Sequence, residues 1–400
     1  MLFSSEFFKV LRMRVIEVND KASGNAFHEV PYLIYRNDPN WIPPLRKMVE
    51  STFNPETNNS LKKGGVCRWL LLDGEKAVGR IAAFFVETYA YSFEQPTGGI
   101  GFFECIDNQQ AAFMLFDAAC NWLKQHGMEA ADGPVNIGEN FFNWGLLVDG
   151  FMPQGFGMPY NPAYYHALFS AYGFKTYYEQ YTYHLDITSP DLPERFWKIA
   201  AWTAKKPGYR FEQFCLAKKE RFIQDFIQIY EQAWTKHDNY KVIEPEDIDA
   251  MLEQSKMMID EEFIWFVYHG NTPIAFFMMV PDMNQLFRYC HNGKLDLLNL
   301  VKLMYLKRRK VITRCRVLVM GVIPRFQKSG IESAIFYQLR QVLLTKSWYR
   351  EMELGWVGDF NPKMISIFEA VGGTHVKTHF TLRYLFDRQK EFKRSSIIER

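Results

Sequence analysis

Two spacings of apolar residues take turns along this 400-residue chain. Strict alternation, or a short apolar run, predicts a strand; recurrence every three to four residues predicts a helix. Residues 14–18 alternate as a strand, and 26–35 carry helical spacing. Pro39, Pro43 and Pro44 bar a helix from 38–45. Residues 68–86 predict a hairpin closed at Asp73-Gly74-Glu75-Lys76, because Asp-Gly suits the backbone angles of a tight turn. A strand at 100–106 and a helix at 109–126, stopped by Gly127, come next. Then follow a strand at 130–135, a helix opened by Asn161-Pro162-Ala163 and stopped by Gly173, and a β-rich stretch at 175–185.

The order then recurs. Residues 264–280 predict a hairpin turning at His269-Gly270-Asn271, 317–322 a strand, 331–344 a helix and 352–357 a strand. Asn361-Pro362-Lys363 opens a helix that Gly372-Gly373 stops, and 377–386 is β-rich. Asn161-Pro162 answers Asn361-Pro362, and Ala171-Tyr172-Gly173 answers Ala370-Val371-Gly372, about 200 residues apart. The reading is two copies of one α/β unit with mixed sheets. Its expected boundaries are an extension at 1–13, a first domain at 14–190, a helical connector at 191–260, a second domain at 261–386 and a charged tail at 387–400.

Composition narrows the class. With 48% hydrophobic and 23% charged residues the chain is an ordinary globular one. A net charge of +2 gives no general basic surplus for nucleic acid. Six cysteines without a C-x-x-C pair read as buried thiols in a reducing cytoplasm. No apolar run reaches the roughly 18–20 residues of a membrane span. The first eight residues lack the basic start of a signal peptide and fit an amphipathic extension, with Met13 a second candidate start.

The stretch 316–339 carries the sharpest chemical signal. An apolar strand stops before Pro324, a turn Gln327-Lys328-Ser329-Gly330 follows, and a helix begins at Ile331. Such a turn aims backbone N–H groups and the positive end of a helix dipole at one point, which suits a phosphate or pyrophosphate. Lys328 adds a cation at the rim, and Gly330 brings the backbone close without a Cβ. This turn resembles the acyl-CoA loop of the GNAT (Gcn5-related N-acetyltransferase) superfamily through Gln327 and Gly330, with Glu332 where the family has a small residue. The segment Asp38-Pro39-Asn40-Trp41-Ile42-Pro43-Pro44-Leu45 is similar to one near the start of uncharacterised bacterial GNAT-like proteins. The first half has Asp107-Asn108-Gln109-Gln110 at the corresponding place, without a glycine.

The resemblance implies tandem GNAT domains of α/β fold. It implies acetyl-CoA or another acyl-CoA as co-substrate, no metal, and a small-molecule or peptide amine as acceptor. It places the acyl-CoA on Val322, Gln327, Lys328, Ser329, Gly330, Ile331 and Asn361, beside a splayed strand. Where the family has a proton-donating tyrosine, this chain has Phe169 and Phe368; Tyr384 is another hydroxyl, and Glu353 a candidate base. The loops rich in Asn and aromatic residues offer Trp41, Asn140, Trp144 and Trp356 to the acceptor, in a cleft between the halves. Three functions follow: an acyl-CoA-dependent N-acyltransferase, a binding protein that keeps the fold without catalysis, or an aminoacyl-tRNA-dependent (Fem-like) transferase. His375 and His379 would stand about 13 Å apart on a strand, too far to share an ion. The run Lys307-Arg308-Arg309-Lys310 reads either as a solvated helix end or as a site for an anionic partner.

Overall fold

A computed structural model describes residues 13–138, 142–234, 243–256 and 258–397. The chain forms two compact units, and both draw on distant parts of the sequence. The first comprises the described residues of Met1–Gln180 with Cys290–Leu295 and Thr378–Ser395; the second comprises those of Tyr181–Tyr289, Asp296–Lys377 and Ser396–Arg400.

The first unit begins with β1 (Met13–Glu17) and α1 (Lys21–Ile34). Asp20 caps α1 by accepting the Ser23 N–H at 2.7 Å, and the Ser23 hydroxyl accepts the Asp20 N–H in return. A cap of this kind is worth about 1 kcal/mol. After the proline segment come α2 (Arg46–Phe53), β2 (Gly64–Asp73), β3 (Lys76–Val86), α3 (Glu87–Ala90), β4 (Thr97–Cys105), α4 (Gln109–Gln125), β5 (Ala130–Gly133), β6 (Leu146–Asp149), α5 (Tyr165–Tyr172) and β7 (Lys175–Asp186). Asp73 pairs with Lys76, so Gly74 and Glu75 make the turn, and Gly74 takes a φ of +61°. α4 lays Leu115, Phe116 and Leu123 onto Leu71, Ile81 and Ile100 of the sheet, all fully buried.

The second unit contains α6 (Glu194–Ala204), β8 (Tyr209–Gln213), α7 (Lys219–Trp234), α8 (Pro245–Ser255), β9 (Ile264–His269), β10 (Thr272–Pro281), α9 (Asn284–Phe287), α10 (Leu297–Arg308), β11 (Arg314–Val322), α11 (Ile331–Thr345), β12 (Glu351–Gly358) and α12 (Pro362–Ala370). The chain's last strand is β13 (Thr374–Leu385).

Strand order repeats between the units. In the first it runs β1-β2-β3-β4-β5, and in the second β8-β9-β10-β11-β12. Only β4/β5 and β11/β12 pair in parallel in these rows. The sixth place is filled unexpectedly. In the first unit β13 lies antiparallel to β5, with Leu382 opposite Gly133. β12 has β7 as its other neighbour, and β7 passes from the first unit into the second at Tyr181.

Three expectations need correction. The connector expected at 191–260 is part of the second unit, where β8 pairs antiparallel with β9 as β1 does with β2. Tyr209-Arg210-Phe211-Glu212-Gln213 is a short edge strand, and its polar side chains hid it. The second domain does not run to 386, because residues from Thr378 belong to the first unit. There Arg383 forks onto buried Asp132 through bonds of 2.6 and 2.8 Å, a partner no local pattern reveals. Finally, Asn161 does not open its helix: α5 starts at Tyr165, and the Asn161 amide grips the Leu147 backbone at 2.7 and 3.0 Å. Asn361 does cap α12, accepting the Met364 N–H at 3.2 Å. The helix stops Gly173 and Gly372 match, with φ of +112° and +101°.

Candidate functional site

The site grows from the parallel pair β11/β12. Arg314, Cys315 and Arg316 pair with Glu351, Met352 and Glu353, and the ladder ends there, although β11 runs on to Val322 and β12 to Gly358. β11 stays bonded to β10 on its other side through Val322. Beyond Arg316 and Glu353 no further ladder pair joins the two strands among the described residues. Gly355 sits just past that last rung, where a Cβ would come within 2.2 Å of the Val317 carbonyl oxygen.

β11 leads straight to the turn. A single 3₁₀ turn, Pro324–Phe326, follows buried Val322 and Ile323. The Gln327 N–H bonds to Pro324 O at 3.3 Å and the Ser329 N–H to Phe326 O at 3.2 Å. Gln327 turns its amide back onto Val322 O at 3.1 Å, so its side chain closes the loop. Lys328 is exposed.

Gly330 is the N-cap of α11, and no side chain caps that helix. Its first-turn N–H groups lack helical partners by geometry, and groups of this kind can bind an anion. The corresponding helix of the first unit is closed. Asn108 caps α4 by accepting the Ala111 N–H at 2.9 Å. Among the described residues, the helix start after β11 thus lacks the side-chain cap that the helix start after β4 has.

Gly330 carries a structural demand besides the role expected of it. Its φ is +81°, in the left-handed region where a side chain is strained, and an added Cβ would lie 3.3 Å from the Thr203 hydroxyl oxygen of α6. The glycine suits its left-handed backbone, and a Cβ there would press on Thr203 of α6. Glu332 does not face solvent. It is buried, and Lys363 in the first turn of α12 donates to it at 3.1 Å. The carboxylate that departs from the family pattern carries its own counter-ion.

Glu353, at the last rung of the ladder, is 2% exposed. Lys377 donates to it at 2.7 Å, and Arg314, which also grips Asp282 at 2.6 Å, lies 3.9 Å away. Burial pushes its carboxyl up, but Lys377, Arg314 and Arg316 outweigh that and hold it down to about 2. A sealed carboxylate so far below neutrality is a poor proton acceptor at pH 7.

The other expected residues fall in several places. Asn361 has its side-chain oxygen in the α12 cap, and Trp356 is half-buried on β12. Trp144 is 4% exposed, packed in the first unit's core, with its indole N–H donating to Tyr178 at 2.8 Å. Trp41 stacks on Tyr35 at 4.8 Å, as an anchor of the proline segment. Asn140 lies outside the described residues. Phe169 is fully buried among Phe103, Phe116 and Phe174, and Phe368 packs against Tyr183. Tyr384 packs among Tyr172 and Phe174 of the first unit. No group of three His, Cys, Asp or Glu that could hold a metal occurs among the described residues.

Sequence reasoning missed one buried cluster in the first unit. Glu104 accepts the Tyr165 hydroxyl at 2.8 Å and faces Arg80 at 3.6 Å. Burial raises its carboxyl above the ordinary range, despite the lowering pull of Arg80 and Tyr165. The Tyr165 oxygen also accepts the Cys105 N–H at 2.9 Å, tying α5 to β4. The only sequence signal was a glutamate within an apolar strand.

No family model matches the chain. Two curated proteins are similar over nearly its whole length. One is a bacterial ceramide synthase of Caulobacter vibrioides, 27% identical over 379 residues, covering 92% of this chain and 96% of the relative. The other is Protein YghO of Escherichia coli, 26% identical over 364 residues, covering 88% and 90%. Among solved structures, the tandem GNAT protein from the clavulanic acid biosynthesis pathway aligns with a TM-score of 0.56 at 11% identity, over 94% of this chain and 98% of that one. At that identity the likeness is one of fold.

Proposed function

We propose that this chain, whose fold is the tandem GNAT fold, is an acyl-CoA-dependent N-acyltransferase acting on the amine of a long-chain, lipid-like acceptor. The observation that carries the reading is the short β11/β12 ladder followed by the uncapped start of α11. Parallel strands beyond the end of such a ladder offer backbone groups to a pantetheine-like arm, and the helix start offers N–H groups to a pyrophosphate. Lys328 supplies charge at the rim, and the Glu332–Lys363 pair leaves no uncompensated carboxylate beside it. The lipid-like acceptor is drawn from the nearly full-length likeness to a ceramide synthase, since a ceramide is the fatty amide of a long-chain amino alcohol.

In the reaction the amine nitrogen attacks the thioester carbon and the C–S bond breaks. The amine loses one proton, and the departing thiolate gains one. Backbone N–H groups on β11 beyond the ladder suit the oxyanion that forms in between. Phe169 and Phe368 carry no proton, and Glu353 is held too acidic to act as base.

A second reading, a binding protein without transfer, is favoured by that same lack of a proton carrier at the expected positions. One experiment separates the two. The purified chain is incubated with acetyl-CoA or palmitoyl-CoA and either a long-chain amino alcohol or a small polar amine, with free thiol and amide product both measured. Thiol release matched by long-chain amide supports transfer. A rise in melting temperature with CoA but no product supports the binder, since a ligand of the native state stabilises it by RT ln(1 + [L]/Kd). Neither product nor stabilisation by any CoA ends both readings.

A further inference from the structure

Nothing in acyl transfer uses α10, yet it carries an unusual surface. Leu298 and Leu297, 82% and 76% exposed, are the most exposed of the large apolar side chains among the described residues, and Val301, Met304 and Tyr305 are more than half exposed. At about 100° per residue these five fall on one side of the helix, and Arg308 continues the stripe. Leu300, Leu303 and Leu306 on the opposite side are half-buried against the unit. The helix is therefore apolar on two faces, one holding it to the protein and one turned outward. An outward apolar face of this kind marks an interaction surface.

Charge identifies the occupant. Asp296 is the only acidic residue between Asp282 and Glu332, and it caps α10 by accepting the Asn299 N–H at 2.9 Å. Lys302, Lys307, Arg308, Arg309 and Lys310 are all exposed. Among the described residues no carboxylate lies within ion-pair distance of Arg308 or Arg309, and Lys310 sits over the Trp348 ring at 3.9 Å. A second copy of this helix would bring only its Asp296 carboxylate against Arg308 and Arg309. A surface of phosphates answers the whole run. The 12 residues of α10 span only about 18 Å at 1.5 Å per residue, well short of the roughly 30 Å of a bilayer core. No helix of the described residues is long and apolar enough to cross a membrane. Such a helix lies in the interface with its apolar face in the acyl boundary and its cations among headgroups.

We propose that α10 is the surface by which this protein lies on an anionic lipid bilayer, with Leu297, Leu298, Val301, Met304 and Tyr305 inserted and Arg308, Arg309 and Lys310 on the phosphates. This stands apart from the acyl-transfer reading, because vesicle binding needs no CoA and its failure leaves transfer untouched.

The test is flotation of the full chain with vesicles of phosphatidylcholine alone or mixed equally with phosphatidylglycerol. The parent should float with the anionic vesicles, less so as salt rises, and hardly at all with the neutral ones. Leu298→Glu with Val301→Glu, and separately Arg308→Glu with Arg309→Glu, should each weaken binding by about tenfold or more while melting temperature and circular dichroism stay unchanged. Sedimentation velocity is run on the same samples. A folded parent that ignores anionic vesicles, variants that bind as well as the parent, or a parental dimer split by the Leu298/Val301 changes would each overturn the proposal; the last would make a second copy the occupant.

Discussion

Lys363 donates to the buried carboxylate of Glu332 at 3.1 Å, joining the first turn of α12 to the first turn of α11. The glutamate sits where the helix dipole favours an anion, and the lysine prevents it from repelling another. Lys363→Ala should therefore cost roughly 1–3 kcal/mol, since it strands a buried charge on one side while the lysine end was partly in water. Adding Glu332→Gln should restore most of that loss. Urea unfolding of the two single variants and the double variant measures the coupling; additive losses would show that the pair does not act as a unit.

Gly330 tests the turn itself. Gly330→Ala should destabilise by about 1–2 kcal/mol through its left-handed backbone, with Thr203 3.3 Å from the new Cβ. Gly330→Asn should lose less from the backbone, because Asn tolerates that region better. Both variants are followed by calorimetric titration with CoA. If both folded variants bind CoA as the parent does, Gly330 serves the backbone of the turn and not the approach of a ligand.

The acid limb of stability should report Glu353. Its folded carboxyl is held at about 2, below the ordinary glutamate value near 4.3. The group therefore contributes stability that is fully present above about pH 4.3 and is lost as the pH falls toward 2, on the order of 3 kcal/mol. Glu353→Gln should be clearly less stable than the parent at pH 7, with the gap closing over that window. Urea midpoints taken from pH 7 to pH 2 give the comparison. A gap that stays constant with pH would mean the loss comes from packing rather than charge.

Lys310 should show a conflict between fold and surface. It holds a φ of +55° just after α10, with Val311 N–H bonded back to Leu306 O at 3.3 Å. A left-handed lysine costs about 1–2 kcal/mol relative to glycine. Lys310→Gly should raise stability by up to about 1 kcal/mol, offset in part by the lost contact with Trp348. Thermal unfolding and vesicle flotation are read together, and the same substitution should weaken binding to anionic vesicles.

By itself the sequence determined the local elements and their repetition. The Asp73-Gly74 hairpin, the helix stops at Gly173 and Gly372, and the strand–turn–helix around Gly330 rest on residues adjacent in the chain, where backbone preference and apolar spacing suffice. Tertiary structure decided what depends on partners far apart in sequence. Only folding brings Arg383 to Asp132, which settles β13 in the first unit, and Lys363 to Glu332, which turns an apparent defect of the loop into a neutral pair. Only folding seals Glu353 against Lys377, and among the described residues it leaves the apolar outer face of α10 exposed. Spacing along a chain records which side of an element is apolar; whether another element comes to cover that side, or a charge comes to meet a charge, is settled by contacts that close long loops.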